Sequence, residues 1–271
     1  MIRPIGIFDS GIGGLTVARA TCDLLPNESI LYYGDTAHLP YGDKSPELIR
    51  RYSTRIAKHL VTSGCKAIVI ACNSASSNAL DEIKSVVGSS IPVIDMVHPV
   101  VEAVSSDNSC GRVGLIGTRA TISSGLYSRV FQNTGNSKAE LLSRATPLLA
   151  SAIEEGFFND TIPKAVLEAY LEDGYFDSVD SIILGCTHYP LVTDKLRKLL
   201  PRSVKIIDSP YIVATTLKAR LVELGIEAGP NSDLIHQVTN RFEVSDLTEN
   251  FKIGAQSFFG SGIDLEEVVL V

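Results

Sequence analysis

Eight short apolar runs punctuate the chain, each of strand length, with longer amphipathic stretches between them. The runs are Pro4-Phe8, Ile30-Tyr33, Ala67-Ala71, Val93-Asp95, Arg112-Ile116, Glu140-Ser143, Ser181-Leu184 and Lys205-Ile207. Strand-like and helix-like segments that alternate in this way predict an α/β fold with mainly parallel sheets. The clearest helix signal runs from Ser45 to Leu60. Ser45 stands at the cap, Pro46 at the first helical position, and Gly64 just beyond the end. Leu48, Ile49, Tyr52, Ile56 and Leu60 form its apolar stripe, while Arg50, Arg51, Arg55 and Lys58 fall on other faces as a solvated surface.

The pattern also repeats. Lys66-Ala67-Ile68-Val69-Ile70-Ala71-Cys72-Asn73 matches Asp180-Ser181-Ile182-Ile183-Leu184-Gly185-Cys186-Thr187. Ile5-Gly6-Ile7-Phe8-Asp9-Ser10 matches Val113-Gly114-Leu115-Ile116-Gly117-Thr118, and Ile91-Pro92-Val93-Ile94-Asp95 matches Val204-Lys205-Ile206-Ile207-Asp208. Leu31-Thr36 aligns loosely with Leu141-Thr146. Cys72 and Asp95 are 23 positions apart, Cys186 and Asp208 are 22 apart. Four strands recurring in one order predict two pseudo-symmetric α/β domains. The expected division is residues 1–97 plus 209–271 for the first and 98–208 for the second, with a helix-rich tail returning to the first unit. In open α/β sheets ligands bind beyond the carboxyl ends of the strands. Cysteines at equivalent strand ends of two half-molecules therefore predict one site between the domains, with a thiol on either side.

Composition narrows the partners. The 271 residues are 45% hydrophobic and carry a formal net charge of −7. No basic cluster is dense enough to track a phosphate backbone, so nucleic acid is not expected as a partner. No apolar run approaches the roughly 20 residues that cross a bilayer, so neither is a membrane. Met1-Ile2-Arg3-Pro4 leads straight into a strand without the design of a signal peptide. Five sparse cysteines (22, 65, 72, 110 and 186) with no C-x-x-C pair predict free thiols in a reducing cytoplasm and no metal site.

Cys22, Cys65 and Cys110 are expected to be small core residues. Cys72 and Cys186 differ, because each lies just past a strand and before a helix N-terminus, which favours a thiolate. An ordinary cysteine is only a few per cent thiolate at neutral pH, so base chemistry needs help. Asp9 and His188 are placed to give it. His38, His59, His98 and His236 are expected to be structural. The turn Asp9-Ser10-Gly11-Ile12-Gly13-Gly14 reads either as a phosphate cradle or as a tight strand-to-helix turn; Asp9 opposes an anion there. Ser10, Asn73, Ser74, Thr118, Thr121 and Thr187 supply hydroxyls and an amide, suited to carboxylates or to helix caps.

Phe8-Asp9-Ser10-Gly11-Ile12-Gly13-Gly14-Leu15, Leu39-Pro40-Tyr41-Gly42, Ala71-Cys72-Asn73-Ser74-Ala75-Ser76, Gly117-Thr118 and Leu184-Gly185-Cys186-Thr187-His188-Tyr189-Pro190-Leu191 together resemble the glutamate racemase family. The motifs stand in family order and span the chain up to about Asn231; Ser74 stands where the family usually has threonine. The resemblance implies two lobes about a pseudo-twofold axis and a cofactor-independent isomerase that makes D-glutamate for peptidoglycan. It implies Cys72 and Cys186 as acid/base thiols, Asp9 assisting the first, and His188 with Glu154 near the second. It also implies Tyr41, Gly42, Asn73, Ser74, Thr118, Thr121 and Thr187 as holders of the substrate, and a homodimer. An aspartate or hydantoin racemase of the same superfamily is the neighbouring expectation. A non-catalytic two-lobed binding protein would share the architecture but would not need two thiols.

Overall fold

The computed structural model describes residues 3–107, 111–134, 140–157, 161–229 and 238–270; Cys110 and His236 lie outside them. In chain order the elements are β1 (Ile5–Asp9), α1 (Leu15–Leu24), β2 (Ile30–Gly34), α2 (Pro46–Thr62), β3 (Ala67–Ile70), α3 (Asn73–Val87), β4 (Val93–Ile94), α4 (His98–Ser106), β5 (Arg112–Gly117), α5 (Arg119–Ser123), α6 (Leu126–Asn133), β6 (Glu140–Ala145), α7 (Pro147–Glu154), α8 (Thr161–Leu171), β7 (Ser181–Gly185), α9 (Thr193–Leu199), β8 (Lys205–Ile207), α10 (Ser209–Glu223), β9 (Arg241–Val244), α11 (Glu249–Phe259) and β10 (Leu265–Glu267).

The strands form two sheets, ordered β10-β9-β2-β1-β3-β4 and β6-β5-β7-β8, and every described pairing is parallel. The order β2-β1-β3-β4 is the order β6-β5-β7-β8, strand for strand. The fold is α/β with two mainly parallel sheets, and the repeated sequence corresponds to a repeated topology. β1, β2, β3 and β7 are buried along their whole length, which is why they read as unbroken apolar runs.

Two details differ from the sequence reading. β4 stops at Ile94 because Asp95 turns to accept from the Val97 and His98 amides at 2.8 and 3.0 Å, opening α4. The tail is not only helical: β9 and β10 add two strands to the edge of the first sheet beside β2. They escape the hydrophobic pattern because Arg241, Glu243, Glu266 and Glu267 interrupt it.

One apolar cluster runs through both sheets. It joins Ile5, Ile7 and Val69 to Leu115 and Ile183 through Val100, Val101 and Val104 of α4, with Val97 just before it, and Val213, Leu217 and Leu221 of α10. These helices form a common floor on which both sheets rest. The carboxyl ends of β1, β3, β5 and β7 are thereby held around one space.

Candidate active site

β1 delivers Asp9, and the chain turns at once through Ser10–Gly14 into α1. The glycines of this turn are set by close approach. A Cβ on Gly11 would lie 2.0 Å from Glu154 Oε1, on Gly13 2.6 Å from His188 Nδ1, and on Gly14 2.3 Å from Asp9 Cβ. Three of the turn's amides are already taken. Gly11 and Gly14 donate to Asp9 Oδ2 at 3.2 and 2.8 Å, and Ile12 donates to Glu154 Oε1 at 3.1 Å. Carboxylates of the protein occupy the place an anion would need, so the phosphate-cradle reading falls and the tight-turn reading holds.

β3 hands the chain to α3 at Cys72, the N-cap residue, and β7 ends one residue before Cys186. Both thiols are free and nearly buried, at 4% and 5% exposed. Both line one cavity between the sheets, together with Asp9, Ser10, Asn73, Ser74, Thr118, Thr187 and His188.

The two thiols have different neighbours. Cys72 donates to Ser10 Oγ at 3.9 Å. Burial first, and the negative charge of Asp9 next, hold its proton well above the ordinary cysteine range; the Ala75 amide at the start of α3 opposes them. Asp9 is itself fully buried, and that burial raises its carboxyl above the ordinary value against the pull of His188 and the Gly14 amide. Cys186 instead lies 3.4 Å from His188 Nδ1, and His188 Nε2 contacts Glu154 Oε1. Burial disfavours a charged His188, but Glu154 and Cys186 outweigh it and raise the imidazolium well above its ordinary range. One thiol is thus kept protonated, and the other faces a cation.

The hydroxyls meet across the cavity. Ser74 Oγ lies 2.9 Å from Thr118 Oγ1 and 3.4 Å from Thr121 Oγ1, joining α3 to the start of α5. Thr118 also accepts from the Thr121 amide at 3.2 Å, so it is a helix cap as well. Thr187 donates to Asp9 Oδ1 at 3.4 Å. Gly42 packs against Thr118, leaving no room for a Cβ, which would meet Thr118 Cβ at 2.7 Å. Tyr41 and Gly42 line the cavity, but the Tyr41 hydroxyl donates to Asp35 at 2.5 Å. Ser10 turns to Cys72, and Glu154 stands behind His188 rather than beside the thiol. The Asn73 amide oxygen is bound by Tyr127 at 2.7 Å. Tyr127 had no signal in the sequence; its partner Asn73 is 54 positions away.

The remaining candidates are structural. Burial raises Cys22 to about 11 and Cys65 to about 12, so both stay neutral thiols. His38, His59 and His98 each pair with a buried carboxylate, Asp35, Glu243 and Asp95 respectively. Among the described residues no group of three or more His, Cys, Asp or Glu is placed to hold a metal, and no helix is long and apolar enough to cross a membrane.

Comparison with known proteins agrees with this geometry. A family model described as Asp/Glu/Hydantoin racemase matches residues 16–217. The glutamate racemase of Geobacter metallireducens is 37% identical over 269 residues, covering 99% of this chain and 97% of that protein. The crystal structure of glutamate racemase from Francisella tularensis in complex with D-glutamate superposes with a TM-score of 0.89 at 36% identity, covering 99% of this chain and 98% of that one. A glutamate racemase isoform from Bacillus anthracis gives 0.90 at 32% identity, covering 99% and 98%. The duplicated topology, the paired thiols and these likenesses lead to one conclusion: the chain belongs to the Asp/Glu/hydantoin racemase family.

Proposed function

We propose that this protein interconverts L- and D-glutamate by a two-thiol mechanism. The reading is carried by one observation: two free, buried thiols at equivalent strand ends line a single small cavity. Glutamate is favoured over other family substrates by the relatives, whose names specify glutamate at 37% and 36% identity over nearly full length.

Racemisation removes the α-proton from one face and returns a proton to the other. A thiolate on one face takes it, and a thiol on the opposite face gives one; turnover exchanges their states. Cys186, beside the His188–Glu154 pair, acts as the thiolate for L-glutamate, and Cys72 delivers its proton to the far face. In reverse, Cys72 must ionise in a buried place beside Asp9. The substrate ammonium group supplies the positive charge that makes this feasible. The α-proton of an amino acid is a very weak acid, so the carbanion must be stabilised by directed hydrogen bonds in a site closed to water. Ser74, Thr118, Thr121, Thr187 and the Asn73 amide are the donors for the carboxylates, with Tyr41 and Gly42 shaping the wall.

The structural units assigned to this reaction are residues 1–97 plus 209–271 and residues 98–208. Four free cysteines among the described residues fit a reducing cytoplasm, where the product would enter peptidoglycan synthesis. The assembly we propose is a homodimer.

The test is interconversion followed by optical rotation, in wild type and in Cys72→Ala and Cys186→Ala. Each substitution is expected to cut turnover in both directions by at least about a thousandfold, since a face without a proton carrier cannot complete the reaction. In D₂O, wild-type product should carry deuterium at the α-carbon. Undiminished turnover by either variant sinks the two-thiol mechanism.

A further inference from the structure

Tyr127 stands on α6, 2% exposed, and its hydroxyl donates to Asn73 Oδ1 at 2.7 Å. Asn73 opens α3, directly after Cys72, and belongs to the opposite half of the molecule. The same hydroxyl lies 3.4 Å from the Met96 carbonyl. A phenol has one proton to give. The short contact claims it, which requires Asn73 to present its amide oxygen to Tyr127.

The consequence falls on the other end of the amide. Asn73 Nδ2 is buried and has no hydrogen-bond partner among the described residues. Asn73 lines the cavity between the thiols. A buried donor left unpaired is costly, and a substrate carboxylate would satisfy it. With the amide turned over, an oxygen would face that carboxylate and repel it. Nδ2 would then donate to the Tyr127 hydroxyl, and the phenol's own proton would be left with only the longer contact to the Met96 carbonyl.

We propose that Tyr127 is a positioning residue: its hydroxyl fixes the Asn73 amide so that Nδ2 donates to a substrate carboxylate. This rests on the glutamate reading given above. Tyr127 does not reach the substrate itself. Because Tyr127 and Asn73 come from opposite halves, the donor is set correctly only when the halves are together. Substrate binding and the seating of α6 against α3 are therefore linked.

Tyr127→Phe removes one oxygen and keeps the ring. It should raise KM for glutamate about tenfold, the loss of one well-placed hydrogen bond to a charged group, while kcat changes less than about threefold. Asn73→Asp keeps the shape and the Tyr127 contact but loses the donor, so it should raise KM at least as much. Adding Tyr127→Phe to Asn73→Ala should change KM by less than about twofold, because the amide that Tyr127 orients is gone. Calorimetric binding of glutarate provides an arm independent of turnover, and the same pattern is expected there. A wild type that binds glutarate with this pattern but leaves glutamate unchanged refutes the racemase reading and keeps the positioning role. Unchanged KM and glutarate affinity in Tyr127→Phe, or an equal effect with and without Asn73, overturns the positioning role.

Discussion

Glu154 and Ile12 lie 142 positions apart and share a hydrogen bond, the Ile12 amide donating to Glu154 Oε1 at 3.1 Å. The same oxygen contacts His188 Nε2. One carboxylate atom thus joins the glycine turn of the first sheet to the histidine that faces Cys186 in the second. The turn allows this only because Gly11 has no side chain.

Gly11→Ala should therefore act through Glu154. Its Cβ would lie 2.0 Å from the carboxylate oxygen, and one of the two must move. The expected result is a loss of kcat/KM of at least about tenfold, with overpacking costing about 1–3 kcal/mol of stability. Glu154→Ala removes the obstacle as well as the carboxylate. Adding Gly11→Ala to it should then cost little more. A double variant whose losses multiply would mean that Gly11 is needed for another reason, such as the path of the backbone.

Glu154→Gln should shift a pH profile rather than merely lower a rate. Glu154 holds the His188 imidazolium above its ordinary range, and the buried site would otherwise discharge it. Without the carboxylate charge, His188 loses its proton at lower pH. A neutral His188 no longer favours the Cys186 thiolate. The basic limb of the rate from L-glutamate, where Cys186 takes the proton, should move to lower pH, and kcat should fall more in that direction than from D-glutamate. The equilibrium constant between enantiomers is one, so KM must shift to compensate. Initial rates from each enantiomer between pH 6 and 10 decide it. Equal losses in both directions with an unmoved basic limb contradict the pairing of His188 with Cys186 alone.

Much of this fold was legible in the chain because the central strands are buried on both faces. Ile5–Phe8 and Ile182–Gly185 face apolar neighbours on both sides, so each run is unbroken and its repeat visible. β9 was invisible for the opposite reason. Its buried Glu243 is satisfied by Arg241 on the same strand and by His59 at 2.6 Å, a partner 184 positions away that a local pattern cannot show. The thiols were legible because they follow duplicated strands. Tyr127 was not: it reads as one more apolar residue of an amphipathic helix, and its partner lies 54 positions away. The glycine turn was half legible. Its tightness follows from composition, but the filling of its amides depends on Glu154, which only the three-dimensional fold brings there.

Asp9→Asn is expected to stabilise the protein at neutral pH while impairing it as a catalyst. Asp9 has no exposed surface, and burial raises its carboxyl above the ordinary value of 3.8. His188 and the Gly14 and Gly11 amides pull the other way without cancelling it, and Glu154 adds to the rise. The folded state therefore binds this proton more tightly than the unfolded chain does. Below the unfolded value Asp9 is neutral in both states and carries no ionisation penalty. As pH rises from there through the folded value, the unfolded state ionises first and stability falls; above the folded value the cost is constant. Asparagine escapes this loss. Its amide oxygen can take over the Gly11 and Gly14 bonds, and its nitrogen can face Thr187, now Thr187 Oγ1 as acceptor. The melting temperature of Asp9→Asn relative to wild type should thus be lowest near pH 3.5 and climb to a plateau at neutral pH. Turnover should drop by at least about tenfold, since the carboxylate beside Cys72 that can take up its proton is gone. Calorimetric melting at three pH values measures the first effect and optical rotation the second. A melting difference that stays flat across that range would show that Asp9 ionises as readily in the fold as in water.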